Sequence, residues 1–245
     1  MKAVRWTAPL AALVVSACGG EPETIVEHGT AADHGRALFS DPGVSGTDSN
    51  PYSCATCHSV TGIEGSDLVL TGGSLDGVLN RPSYWGGQEV DLLRSVNACL
   101  YYFMLKEEPW TAQDEEAKAM YAFLSSILPG ETADATPFTV VTDIADLPKG
   151  DASRGEDAYR RACANCHGAR HAGTGKLVER APTLPDQTLK DHPLGDYTPD
   201  DQRLVFVEKA RHGAFLSYTG TMPPFSLESL SDSEMADILT YLDLY

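Results

Sequence analysis

Two stretches of the chain carry the same helical pattern of apolar positions. Ala119, Met120, Phe123, Leu124 and Ile127 fall on one face of a helix starting near Glu116. Met235, Ile238, Leu239 and Leu242 do the same for a helix starting near Glu234. The segments Glu116–Leu124 and Glu234–Leu242 align residue for residue, and Ser231 with Glu234 has the spacing of a capping box at the second start. A glycine-led amphipathic stretch opens each copy, Gly35-Arg36-Ala37-Leu38-Phe39 in one and Gly155-Glu156-Asp157-Ala158-Tyr159 in the other. The pattern predicts an all-α protein of two tandem units, residues 32–128 and 150–245, joined by a linker over 129–149. Pro129-Gly130 and Pro148-Lys149-Gly150 punctuate that linker, in which Phe138 to Val141 is the one short run of extended character. The first unit carries an extra loop from Asp41 to Pro51, rich in Gly, Ser, Asp and Pro. Each unit has about 100 residues, small for an all-helical core unless a large apolar cofactor completes it.

The N-terminus follows a different rule. Lys2 and Arg5 precede an apolar run, Trp6 to Val15, that is too short to span a bilayer as a helix. Val15-Ser16-Ala17-Cys18 then places small residues at a cleavage site, so residues 1–17 read as an export signal. The tetrapeptide also resembles a bacterial lipobox. That resemblance implies acylation of Cys18, with residues 18–31 as a polar tether, and Gly19 implies the periplasmic side of the outer membrane. Several acyl chains would anchor the protein stably.

Composition changes the picture in one respect. Hydrophobic residues at 42% and charged residues at 22% describe ordinary globular material, but the formal net charge is −17. Removal of residues 1–17, which contain Lys2, Arg5 and no acid, takes it to −19. Such a surface repels nucleic acid and favours partners with basic docking surfaces.

Six cysteines could form a disulfide framework, but four stand in Cys54-Ala55-Thr56-Cys57-His58 and Cys163-Ala164-Asn165-Cys166-His167, which begin 109 residues apart. Two thiols separated by two residues can reach the two vinyl groups on one haem edge as thioethers. The next residue, histidine, then offers a neutral imidazole to the iron. Zinc would require a tetrahedral set of four ligands drawn from both motifs. Thiol redox chemistry of the thioredoxin kind would require a βαβ context, which the pattern lacks.

With these motifs in helical units, the chain resembles the class I cytochrome c family twice, over about residues 32–128 and 150–245. The resemblance implies two tandem cytochrome c domains, each a small helical bundle wrapping one covalent haem c. Cys54, Cys57, Cys163 and Cys166 would attach the haems, and His58 and His167 would bind iron. Gly220-Thr221-Met222-Pro223-Pro224-Phe225 resembles the family's methionine-ligand loop, which nominates Met222 as second axial ligand. In the first unit Met104 precedes Glu116 by 12 residues, as Met222 precedes Glu234, and so occupies the same place in the repeat. Cys99 competes with it, because Val96-Asn97-Ala98-Cys99-Leu100 is similar to the region of thiosulfate dehydrogenases in which a cysteine thiolate binds the haem iron. Leu92, Val96, Cys99 and Phe103 share one helical face, so Cys99 also reads as an ordinary core residue.

The lesser candidates carry blander expectations. Arg81 to Gly87 should pack over the first haem edge, and Tyr101-Tyr102-Phe103 should wrap the macrocycle. Arg81, Arg94 and Lys106 should be surface residues or partners of haem carboxylates, and His192 and His212 bystanders. The function expected is electron transfer between periplasmic or membrane redox proteins. The alternative is a sulfur-oxidising enzyme of thiosulfate dehydrogenase type with a Cys99-ligated haem, which must overcome the repulsion between an anionic substrate and an acidic protein.

Overall fold

The computed structural model describes residues 29–60, 67–127, 134–139, 141, 147–213 and 220–245. The export signal, Cys18, the tether up to residue 28 and much of the linker lie outside the described residues. Nine α-helices are described: α1 Ala31–Ser40, α2 Cys54–Cys57, α3 Leu92–Tyr102, α4 Glu115–Ser126, α5 Ala152–Ala162, α6 Ala164–His167, α7 Asp186–Asp191, α8 Pro199–His212 and α9 Asp232–Tyr241. The only strands among the described residues are β1 His58–Ser59 and β2 Gly73–Ser74, a two-residue parallel pair with His58 opposite Gly73. None of the described helices is long and apolar enough to cross a membrane.

Sequence signals set the helix boundaries. Thr30 caps α1 by accepting from the Asp33 N–H while the Asp33 carboxylate accepts from the Thr30 N–H, and Thr198–Asp201 and Ser231–Glu234 repeat that exchange at α8 and α9. Pro199 occupies the first turn of α8, where its missing N–H costs nothing.

The molecule is organised by two helix crossings with the same geometry. Gly35 of α1 meets α4 so closely that an added Cβ would stand 2.0 Å from the Ala119 carbonyl oxygen and 2.7 Å from the Phe123 Cβ. Gly155 of α5 meets α9 with the corresponding distances of 2.0 Å to the Asp237 oxygen and 2.8 Å to the Tyr241 Cβ. The two glycines, the two carbonyls and the two rings occupy matching places in the sequence repeat. Around the first crossing Phe39, Val78, Leu100, Met120, Phe123 and Leu124 form one buried cluster. Around the second, Tyr159, Phe206, Leu230, Met235, Ile238, Leu239 and Leu242 form another. The predicted apolar faces of the two closing helices are buried in full.

The structure departs from expectation in three places. The loop at 41–51 is well built: Pro42–Ser45 forms a 3₁₀ turn, and the Asn50 amide donates to the carbonyls of Pro42 and Tyr52 at 2.9 and 2.6 Å while accepting from the Tyr52 N–H at 3.0 Å. Helices α7 and α8 are additional to the predicted elements; α8 is polar on most of its circumference and so carries little periodic signal. The Tyr101-Tyr102-Phe103 run is split, with Tyr101 61% and Tyr102 42% exposed and only Phe103 buried. At 100° per residue, positions 101 and 102 turn away from the face that carries 99 and 103.

The connecting segment is tied at both ends. Phe138 packs edge-on against Trp85 with ring centroids 5.5 Å apart, the Glu228 carboxylate accepts from the Thr139 N–H at 2.8 Å, and His212 Nε2 donates to the Val141 carbonyl at 2.6 Å.

Because Gly155 has no room for a side chain, Gly155→Ala should push α5 from α9 and cost about 1–3 kcal/mol. A thermal melt of the holoprotein should show a lower midpoint for this variant, whereas Gly195→Ala, in open space, should melt like wild type.

Candidate functional site

The first motif lines an apolar cavity of about 180 Å³. Ser53 and Thr56 close the single turn α2, the Thr56 hydroxyl accepting from the Ser53 N–H at 3.1 Å. Cys54 and Cys57, three residues apart on this turn, therefore share a face. His58 follows in β1, where its ring lies against Gly72; a Cβ there would come within 2.3–2.7 Å of three ring atoms, so only glycine fits. Burial pulls the imidazole pKa down to about 4, opposed by the backbone of Gly72 and Gly73, so the ring is neutral at physiological pH. Its Nδ1 is buried without a hydrogen-bond partner.

Both rival ligands reach this cavity. Cys99 lies on the α3 face with Leu92, Val96 and Phe103, and burial, together with Cys54 and Cys57, drives its thiol pKa far upward. Met104 follows the end of α3, folds back so that its N–H donates to the Cys99 carbonyl at 3.4 Å, and is 4% exposed. Asn97 fixes the segment beyond it, donating to the Trp110 carbonyl and accepting from the Trp110 N–H, both at 2.8 Å. Arg81, Tyr84 and Trp85 line the same cavity, as expected of their loop.

The second motif lines a cavity of about 310 Å³. His167, at the end of α6, donates from Nδ1 to the Pro182 carbonyl at 2.9 Å, which leaves Nε2 with its lone pair; burial keeps its pKa low. Met222 lines the same cavity from the loop before α9. Gly213 lies against this loop, a Cβ there coming 2.3 Å from the Met222 carbonyl oxygen. The Phe225 N–H donates to the Ala210 carbonyl at 2.8 Å. Arg211, 1% exposed, donates to the carbonyls of Phe225, Ser226 and Leu230 and to the Asp232 carboxylate at 2.6–3.3 Å. The methionine loop is thus fixed by main-chain bonds to α8.

These linings suit a haem. The five described cysteines are unbridged, and no group of three or more His, Cys, Asp or Glu among the described residues is arranged to hold a metal ion. Burial first, then the neighbouring cysteine, pushes the thiols of Cys54 and Cys163 up to about 12 and that of Cys166 to about 11, environments that favour an uncharged sulfur over a thiolate. Among the described residues, the charged ones lining the cavities are all cations, Arg81 in the first and Arg161, Arg180 and Lys209 in the second. In so acidic a chain, that distribution matches a flat apolar ring system with acidic substituents.

A pair of cysteines, an uncharged imidazole and a methionine thus open on each of the two apolar cavities. Residues 150–242, which contain the second Cys-x-x-Cys-His motif, match the family model described as cytochrome c oxidase, cbb3-type, subunit III. A search of curated proteins gives no match. Among solved structures, the chain is similar to thiosulfate dehydrogenase (TsdBA) from Marichromatium purpuratum in its as-isolated form, with 20% identity and a TM-score of 0.41. That alignment covers 87% of this chain and 45% of the other, so the chain spans less than half the length of that protein.

The structure brings Cys54, Cys57, His58, Cys99 and Met104 to one cavity and Cys163, Cys166, His167 and Met222 to the other. His192 and His212 line neither, and Arg94 pairs with Glu89 at 2.9 Å at the surface. Sequence reasoning missed Gly72, Tyr52, Arg180 and Arg211. Arg211→Met should strip three buried carbonyls of their donor and lower stability by about 2–3 kcal/mol, measurable as an earlier denaturant midpoint.

Proposed function

We propose that the chain is a dihaem c-type cytochrome made of two tandem cytochrome c domains, which passes electrons between redox proteins. The carrying observation is that both Cys-x-x-Cys-His motifs open on apolar cavities that also receive a methionine and cationic side chains. Haem c supplies a one-electron iron couple when bound. This chain's residues attach it through Cys54, Cys57, Cys163 and Cys166, offer imidazole from His58 and His167, and shield both sites from water. Met222, from the loop that lines the second cavity, would offer its thioether to the haem iron in the C-terminal domain. Met104 has that role in the N-terminal domain, on its place in the repeat and its buried seat in the cavity. Thioether ligation keeps both potentials high.

The reading extends to location and partners. Cys18 carries acyl chains that hold the protein at the periplasmic side of the outer membrane, and the acidic surface meets basic docking faces. Cys18→Ser should release the protein from the membrane fraction or stop its processing, as a fractionation blot would show; a wild-type protein that is wholly soluble with unmodified Cys18 would defeat the anchor.

Cys99 supports a second reading, a thiosulfate dehydrogenase-like enzyme, because it too lines the first cavity. Against it, Arg81 is the one cation lining that cavity among the described residues, and it is engaged with the carbonyls of Ser74 and Asp76 at 2.8 and 2.7 Å. The purified holoprotein should carry two haems per polypeptide that survive acid-acetone extraction. Met104→Ala should lower the potential of the first haem, while Cys99→Ala leaves both potentials in place and costs about 1 kcal/mol of packing. A low-spin thiolate signature that Cys99→Ala abolishes, together with thiosulfate-dependent reduction of an acceptor, would replace the carrier with the enzyme.

A further inference from the structure

The two cavities share part of their walls. Tyr52, Cys57, Thr71 and Pro223 line both. Cys166 and Ala181 pack against the N-terminal hydrophobic cluster and Val69 against the C-terminal one, while the Val69 N–H donates to the Arg161 carbonyl at 3.0 Å. One cysteine of each motif, Cys57 and Cys166, therefore lies at the boundary between the two cavities.

A small polar group sits in this seam. Tyr52, 5% exposed, turns its phenol toward the Thr221 hydroxyl, one residue before Met222. Arg180 spans the same boundary. One guanidinium nitrogen donates to the Ser49 carbonyl at 3.1 Å and another to Thr221 Oγ1 at 2.8 Å. The well-built loop at 41–51 has a purpose in this arrangement, because Asn50 holds the main chain of Tyr52 and the adjacent Ser49 receives Arg180. The N-terminal unit alone has this loop, so the seam is not a product of the repeat.

We propose that Tyr52, Thr221 and Arg180 are positioning residues that hold the two haem-attachment edges together for direct electron exchange, with Arg180 favouring the reduced state of the second site. The inference rests on the dihaem reading above. In the exchange one iron loses an electron and the other gains it; no bond forms or breaks. Burial pushes the pKa of the phenol up, so it keeps its proton. A fixed positive charge beside the Met222 loop, in a medium less polarisable than water, stabilises the state with one charge fewer on the iron.

The test uses the full-length holoprotein. Haem content comes first: a single haem per chain would end both this proposal and the dihaem reading. With two haems, flash reduction should give an electron-redistribution phase whose rate does not change with protein concentration. If redistribution occurs only by collision, at a rate proportional to concentration, the seam has no such role and the dihaem reading stands. Arg180→Gln should shift the second haem to a more negative potential than it does the first, and Arg180→Lys, which keeps the charge, should restore most of that shift. Tyr52→Phe, which keeps the ring, should slow the intramolecular phase with haem content intact. Unchanged potentials in Arg180→Gln and an unchanged phase in Tyr52→Phe would overturn the assignment.

Discussion

Two helix crossings in which backbone lies directly on backbone organise this molecule, and the remaining structure is arranged around them. Where α1 crosses α4 and α5 crosses α9, a glycine lets one helix lie on a carbonyl of the other with no side chain between. So close an approach fixes the crossing angle and holds the apolar faces of α4 and α9 at a set distance from the motif turns α2 and α6. The cavities are the space left between crossing and turn. Their walls are apolar because the closing helices present one continuous face of Met, Phe, Ile and Leu, and they demand an apolar guest because cores of this size bury too little surface by themselves.

Much of this was legible in the chain. The crossing glycines, the motif cysteines and the closing helices recur in the same order, and a repeat exposes what a single copy conceals. The methionine loop was legible through Pro223 and Pro224, and Met104 only through its distance from Glu116. What stayed hidden lacks a counterpart. Tyr52 and Ser49 belong to a loop found in one unit, and Arg180 and Thr221 gain meaning from residues more than a hundred positions away in one case and about forty in the other. Arg211 escaped notice because a buried arginine has the same letter as a surface one. The Tyr101-Tyr102-Phe103 run misled because three adjacent aromatics on a helix point in three directions.

Charge gives a similar lesson in scale. The total of −17 describes the outer surface well and the sites badly. The acids gather in first turns and exposed pairs, such as Asp200–Arg203 and Asp157–Arg160, where water screens them. The cations lining the cavities are held by main-chain and hydroxyl groups as well as by carboxylates: Arg81 by two carbonyls, Arg180 by a carbonyl and a hydroxyl, and Arg161 by Asp157 and Glu234. Local sign is therefore set by which residues turn inward.

The tied connecting segment carries a consequence for the order of assembly. Thr136, Phe138, Pro223 and Pro224 all form part of the wall of the first cavity, and the segment holding Phe138 is fastened to His212 and Glu228. A chain emerging from its N-terminus has Cys54, Cys57 and His58 in place long before those later residues exist. The N-terminal pocket thus lacks part of its wall until the second half of the chain exists, and is completed by the half that is made last.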